Sequence, residues 1–157
     1  MSEFPLKIIG AFGSPYTRKM VSVLRYRRIP HQWIIRGSRE DKDIPEIPVQ
    51  IIPVLIFPDK KGSYDQAMVD STPVIRRLET MYPERLLVPA DPALRFLDEL
   101  IEDYGDEWLT KAMFHYRWVY QADIHHAATL LPRWRQPGAS DEESKQLGDI
   151  FADRQIG

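Results

Sequence analysis

Hydroxyl and carboxyl side chains stand at two predicted helix starts in this sequence. Ser14 comes directly before a proline, and Asp70 and Ser71 come shortly before Pro73. A small polar residue followed by proline is typical of the first turn of a helix. Because the first backbone N–H groups of a helix are free, such a position can bind an anion, although the same side chains can also act as caps with nothing bound.

The chain contains no cysteine, and this count excludes several kinds of chemistry. Disulfides, thiolate metal sites and a protein-supplied sulfur nucleophile are all ruled out, so any reacting sulfur must arrive with the substrate. Three histidines and an acid are the remaining metal candidates: His115, His125, His126 and Asp123. We expect no metal, because adjacent histidines on a helix point about 100° apart.

Composition and charge narrow the class of protein. Of the 157 residues, 43% are hydrophobic and 28% are charged, which suits a folded globular chain. A net charge of −2 argues against a nucleic-acid partner. The apolar run 51–57 is far shorter than the ~20 residues that cross a bilayer, and no secretory signal pattern is visible. We therefore expect a cytoplasmic protein that binds neither nucleic acid nor membranes.

Short β-like runs alternate with helical segments over the first half of the chain. The pattern predicts strands at 6–12, 32–35, 54–57 and 64–69, a helix after Ser14, an irregular segment at 37–50, and a helix opened by Thr72 and Pro73 that ends at Tyr82. A helical crossover makes the first two strands parallel, whereas a hairpin makes the last two antiparallel. The expected fold is therefore a mixed sheet with helices packed on it.

The second half of the chain is helical almost throughout. Apolar residues recur every three or four positions over 94–119, which predicts one long helix with a bend or a close contact at Gly105. Pro132 and Pro137-Gly138 should end the helical pattern, and Ser140 should open another helix through a capping box. Three prolines in 83–92 indicate an ordered linker.

Three segments, taken together, resemble the glutathione transferase family. They are residues 13–19 (Gly-Ser-Pro-Tyr-Thr-Arg-Lys), 52–55 (Ile-Pro-Val-Leu) and 69–75 (Val-Asp-Ser-Thr-Pro-Val-Ile). They occur in the family's order, at its spacing and on the predicted elements where the family keeps them.

The resemblance implies a domain organisation as well as a fold. It implies an α/β thioredoxin-like, glutathione-binding domain at 1–82 with a mixed four-stranded sheet. After the linker at 83–92, residues 93–157 would form an incomplete all-α domain.

The resemblance also implies a catalytic position. Ser14 would donate a hydrogen bond to the sulfur of glutathione and hold it as a thiolate, which a helix N-terminus favours as well. Tyr16 and Thr17 are alternative donors, because one turn of helix could bring either hydroxyl to the same edge. Relatives with cysteine at this position carry out thiol–disulfide chemistry, which is closed to this chain.

Four further residues would bind glutathione, the co-substrate, if the resemblance holds. Pro53 would follow a cis peptide bond, and Val54 would pair with the cysteinyl unit through its backbone N–H and C=O groups. Ser71 would hold the carboxylate of the γ-glutamyl end, and Asp70 would pair with the neighbouring ammonium group. Capping and an ordinary strand start are the alternative explanations for these residues.

In the family, the helix that corresponds to 94–119 helps to line a hydrophobic pocket. Trp108, His115 and Tyr116 would then contact a small hydrophobic electrophile, although an aromatic stripe is more often core. Family members have a longer helical domain. If this chain is complete, its apolar helix face needs another cover, such as a second copy in a homodimer.

Two functions follow from these observations. The first is a detoxifying glutathione transferase, which activates the glutathione thiol for attack on a small electrophile. The alternative is a non-catalytic module of the same fold that serves interaction or regulation.

Overall fold

Four strands form one mixed sheet in the first half of the chain. In the computed structural model, which describes residues 4–156, these strands are β1 (Leu6–Gly10), β2 (His31–Ile35), β3 (Val54–Phe57) and β4 (Gln66–Met68). Their order is β2-β1-β3-β4; β1 runs parallel to β2, and the β1–β3 and β3–β4 pairs are antiparallel. The predicted mixed four-stranded sheet is confirmed.

Two helices pack on one face of this sheet. They are α1 (Pro15–Tyr26) and α2 (Ser71–Met81). Their apolar stripes join alternate residues of β1 and β3 in one buried cluster, because successive side chains of a strand point to opposite faces. The cluster contains Leu6, Ile8, Met20, Val21, Leu24, Ile29, Leu55, Phe57, Val74 and Leu78.

The opposite face of the sheet has its own, smaller core. It consists of Ile9, Ile34, Ile47, Val54 and Ile56. Ile47 comes from the irregular segment between β2 and β3, so this segment contributes to the cover of the second face. The predicted absence of regular structure at 37–50 is confirmed.

The ends of several predicted elements differ from the structure. The first strand ends at Gly10, and the fourth is three residues long. The second helix begins at Ser71 with Asp70 as its cap, because the Asp70 carboxylate accepts a hydrogen bond from the Thr72 N–H at 3.1 Å. The prediction that Thr72 caps this helix is therefore wrong.

Arg27 joins the end of α1 to the end of α2. Its guanidinium is buried, and it lies 2.9 Å from a carboxylate oxygen of Glu79. It also donates hydrogen bonds to the backbone carbonyls of Tyr82 and Glu84. One buried cation therefore holds both the second helix and the start of the segment that follows it.

The chain divides into two compact units between Leu86 and Leu87, within the segment 83–92. Residues 1–3 and 157, which belong to the expected domains, lie outside the described residues. The second unit contains α3 (Pro92–Asp103), a π-helical segment (Tyr104–Leu109), α4 (Thr110–Trp118), α5 (Gln121–Arg135) and α6 (Asp141–Ile156). The helical second part of the chain is confirmed.

The predicted long helix is an α–π–α run instead of one uniform helix. Gly105 lies in the π-helical segment, and a Cβ atom placed on it would meet nothing within 4 Å, so no close contact explains this glycine. Pro132 lies buried inside α5 and does not end it. The helix continues for three residues, and the Gln136 N–H donates to the Pro132 carbonyl at 2.8 Å.

The predicted capping box at Ser140 is confirmed. Its backbone N–H and its hydroxyl donate to the Glu143 carboxylate at 2.8 and 2.9 Å, and the Glu143 N–H donates back to the hydroxyl. The hydrogen bonds from Ser140 lower the pKa of Glu143 below its usual value. By contrast, no residue of α3 is buried, so the apolar stripe of that helix is exposed.

Candidate functional site

The sheet topology brings the three chemistry-bearing segments to one edge. Ser14 follows the end of β1, and Val54 begins β3 opposite Ile9, one residue before that end. Strand β4 is antiparallel to β3, with Met68 opposite Leu55, so the end of β4 lies at the same edge as the start of β3. Ser71 follows the end of β4. The segments that are distant in sequence therefore converge at one end of the sheet.

Ser14 caps α1 from a half-buried position. Its Oγ accepts a hydrogen bond from the Thr17 N–H at 3.2 Å, and Pro15 occupies the first turn. A hydroxyl can accept one hydrogen bond and donate another at the same time. Capping and donation to a bound sulfur are thus compatible roles for this side chain.

The two alternative donors differ in their surroundings. Thr17 is fully buried, and a Cβ atom on Gly10 would come within 2.9 Å of the Thr17 Cβ, so the side chain fills the space that this glycine leaves. Thr17 stays a predicted alternative donor, and its burial distinguishes it from the half-buried Ser14. Tyr16 is half-buried and stays an alternative to Ser14.

Asp70 and Ser71 form the start of α2. The backbone of Asp70 has φ 71°, a left-handed conformation that is strained for a residue other than glycine and that occurs preferentially at functional sites. Ser71 is only 5% exposed, and its Oγ accepts a hydrogen bond from the Nζ of Lys19 on α1 at 3.0 Å. This hydrogen bond connects the start of α2 to the second turn of α1.

Pro53 and Val54 stand where the third strand begins. The Ile52–Pro53 peptide bond is cis, as the resemblance implied. Both residues are buried, and Val54 pairs with the central strand β1.

The aromatic residues predicted for the electrophile pocket lie in the second unit. Trp108, His115 and Tyr116 are all exposed. The structure brings two of them together, because the His115 and Tyr116 rings meet edge to face at 5.4 Å, and Tyr120 stacks on Tyr116 at 6.3 Å. Trp108 instead lies under the Lys111 ammonium at 5.0 Å.

Two further properties concern the described part of the chain. Within residues 4–156, no three or more acidic or histidine side chains are grouped so that they could hold a metal ion. Over the same range, no helix has the length and the apolar character needed to span a membrane.

Comparison with known proteins identifies the family. The profile described as "Glutathione S-transferase, N-terminal domain" matches residues 8–86, which is half of the chain. The chain therefore belongs to the glutathione S-transferase family, and the resemblance seen in the three segments is confirmed. No curated protein matches the chain.

Solved structures of low sequence identity share the fold. A glutathione S-transferase from Rhodospirillum rubrum has a TM-score of 0.53 and 19% identity, with 95% of this chain and 62% of that chain covered. One from Methylobacterium radiotolerans, in complex with glutathione sulfonate, has a TM-score of 0.54 and 22% identity, with 98% and 68% covered. The beta-etherase LigF from Sphingobium has a TM-score of 0.54 and 17% identity, with 96% and 68% covered. The chain spans less than two thirds of the length of the first of these proteins.

Proposed function

We propose that this chain binds glutathione at the shared edge of the sheet and activates its thiol for attack on a small electrophile. The observation that carries the proposal is the convergence of Ser14, Val54 and Ser71 at that edge. Membership of the family supports it, and so does the glutathione sulfonate bound to the relative from Methylobacterium. The glutathione-binding domain would comprise residues 1–82.

Each group at the edge has a distinct role in this proposal. The free N–H groups at the start of α2, together with the Ser71 hydroxyl, hold the carboxylate of the γ-glutamyl end. The Asp70 carboxylate pairs with the adjacent ammonium group. The backbone of Val54 pairs with the cysteinyl unit, and Pro53 aims the backbone N–H and C=O groups of Val54 at that unit.

The chemistry proceeds through a thiolate, because the ionised sulfur is the nucleophile. Ser14 donates its hydroxyl hydrogen to the sulfur, and the start of α1 adds a positive partial charge. The thiol proton leaves to solvent, and the sulfur then forms a bond to the electrophilic carbon while the leaving group departs or a double bond is saturated. Trp108, His115 and Tyr116 stay the proposed contacts of the electrophile.

The cellular setting belongs to the same proposal. We propose a cytoplasmic detoxification enzyme that acts as a homodimer. The competing function is a non-catalytic interaction or regulatory module of the same family.

Calorimetric titration with glutathione tests the proposed function. We expect the wild-type chain to bind, and the Ser71→Ala variant to bind about 10-fold or more weakly, since a hydrogen bond to a charged group contributes about 1.5–3 kcal/mol. Ser22→Ala is the matched control, because Ser22 is an exposed serine of α1 and should leave the affinity unchanged. A wild-type chain that does not bind glutathione would favour the non-catalytic module.

A second measurement tests the donor to the sulfur. We expect Ser14→Ala to raise the pKa of the bound glutathione thiol by about 1–2 units, because the thiolate loses its hydroxyl donor. The pKa is read from the thiolate absorbance of the complex as a function of pH. Ser14→Thr, which keeps both the hydroxyl and the cap, should retain the wild-type pKa. An unchanged value in Ser14→Ala would assign the role to Tyr16 or Thr17, and Tyr16→Phe should then raise the pKa only if Tyr16 is the donor.

A further inference from the structure

Thr17 and Gly10 form a close contact between the first turn of α1 and the end of β1. A Cβ atom on Gly10 would lie 2.9 Å from the Cβ and 2.5 Å from the Cγ2 of Thr17, and closer still to its Oγ1. Both branches of the threonine side chain therefore stand in the space that the missing side chain of Gly10 leaves. The contact sets how closely the start of α1 approaches the strand.

The shape of Thr17, and not its hydrogen bonding, is what this contact uses. Thr17 is fully buried, and its Oγ1 has no hydrogen-bond partner among the described residues. A buried hydroxyl without a partner is unfavourable and uncommon in folded proteins, so it calls for an explanation. A β-branched side chain has a restricted χ1 angle in a helix, which makes it a stiff element of packing.

The backbone of the same residue holds the side chain of Ser14. The Thr17 N–H donates to the Ser14 Oγ at 3.2 Å, and the Ser14 N–H donates to the carbonyl of Ala11 at 3.2 Å. Ser14 is thus tied to α1 on one side and to the segment after β1 on the other. The place of its hydroxyl depends on the spacing between helix and strand, which the contact of Thr17 with Gly10 sets.

We infer that Thr17 is a positioning residue for Ser14, and that its branched side chain acts as a spacer against Gly10 that fixes the Ser14 hydroxyl at the edge of the sheet. This inference rests on the proposed function, in which Ser14 donates to the sulfur of glutathione. Functional groups at such sites must be held within about 0.5 Å of the productive geometry. A displaced hydroxyl would therefore stabilise the thiolate less.

Three substitutions of Thr17 separate its shape from its hydroxyl. Thr17→Val keeps the branched shape and removes the hydroxyl, so the bound glutathione thiol should keep its wild-type pKa. Thr17→Ala removes both branches, and the pKa should rise by about 0.5–1 unit, less than in Ser14→Ala. Thr17→Ser keeps the hydroxyl and loses the methyl group; it should raise the pKa as well, and it serves if the alanine variant does not fold. The thiolate absorbance of the complex as a function of pH gives each value.

Val21→Ala is the matched control for lost packing. Val21 is a buried, β-branched residue one turn further along α1, and it belongs to the core between the helices and the sheet. Its truncation should lower the midpoint of urea denaturation but leave the thiol pKa unchanged. S-Methylglutathione, which has no ionisable thiol, should bind to Thr17→Ala and to the wild type with similar affinity, because the spacer acts on the donor to the sulfur.

The outcomes separate this inference from the proposed function. A raised thiol pKa in Thr17→Val would identify the Thr17 hydroxyl as a donor and would overturn the inference. A wild-type pKa in Thr17→Ala or in Thr17→Ser, or a rise in Val21→Ala as large as in Thr17→Ala, would overturn it too. All these results would leave glutathione binding intact. No binding of glutathione by the wild type would overturn the proposed function and this inference with it.

Discussion

Replacement of Arg27 by methionine is expected to lower the free energy of unfolding by about 3–5 kcal/mol. The guanidinium is fully buried, and its partner Glu79 is 16% exposed. Methionine would fill part of the volume. However, it would leave a nearly buried carboxylate, and the carbonyls of Tyr82 and Glu84, without this donor. A buried charge that loses its counter-charge costs more than the intact pair contributes.

Urea denaturation of the full chain measures this loss. Arg28→Met is the matched control, because Arg28 is the exposed next residue and its replacement should change the free energy of unfolding by no more than about 0.5 kcal/mol. Similar small effects for both variants would contradict the argued role of Arg27.

The phenol of Tyr82 gives a second readout of the same variant. Burial raises the pKa of Tyr82, and the charge of Arg27 lowers it in part. Without Arg27, the pKa of this tyrosine should therefore rise further, and an absorbance titration can detect the change.

The sequence does not distinguish Arg27 from its neighbours. It belongs to a run of basic residues at the end of α1, and such a run is usually a solvated surface. Only the tertiary structure shows that the run crosses from the exposed face of the helix to the face that meets α2. Helical periodicity predicts which residues share a face. At the end of a helix, however, the last helical residue is uncertain by one or two positions, so the face of a residue there cannot be predicted.

Local sequence signals are sufficient to predict most of the strands and helices of the first unit. The strands at β1 and β3 are apolar runs bounded by glycine and proline, and the hairpin between β3 and β4 has a polar, glycine-ended turn. The structure differs from the predictions where a tertiary interaction competes with a local rule. Pro132 lies buried inside α5, although its residue type predicts a helix end.

The sequence predicts only those residues of the candidate site that lie in recognisable motifs. Ser14, Val54, Asp70 and Ser71 lie in segments that the family resemblance identifies. The burial of Thr17 was not predictable, because it depends on the close approach of Gly10 across two elements. Lys19 also lacks a local signal: a lysine on a polar helix surface has no pattern that reveals a hydrogen bond to a serine 52 residues further along the chain.

Gly148 illustrates the same point in the second unit, and its replacement is the other change with a large expected effect. A glycine in the middle of α6 is locally unfavourable by about 1 kcal/mol relative to alanine. A Cβ atom at this position, however, would come within 2.9 Å of the carbonyl carbon of Ala128 on α5, and closer still to its oxygen. Because that obstacle is backbone, it cannot rotate aside as a side chain could.

Gly148→Ala is therefore expected to destabilise the pairing of α5 and α6 by about 3 kcal/mol, the upper range for overpacking, despite the better helix propensity of alanine. Native-state hydrogen exchange of the amides in α5 and α6 measures this effect without assuming that the two units unfold together. Gly105→Ala is the control, because a Cβ atom there meets nothing within 4 Å. The control should be neutral or stabilising by up to about 1 kcal/mol. If the amides of α5 and α6 were as well protected in Gly148→Ala as in Gly105→Ala, the close approach at Gly148 would have no effect on stability. Helix propensity alone would then explain both variants.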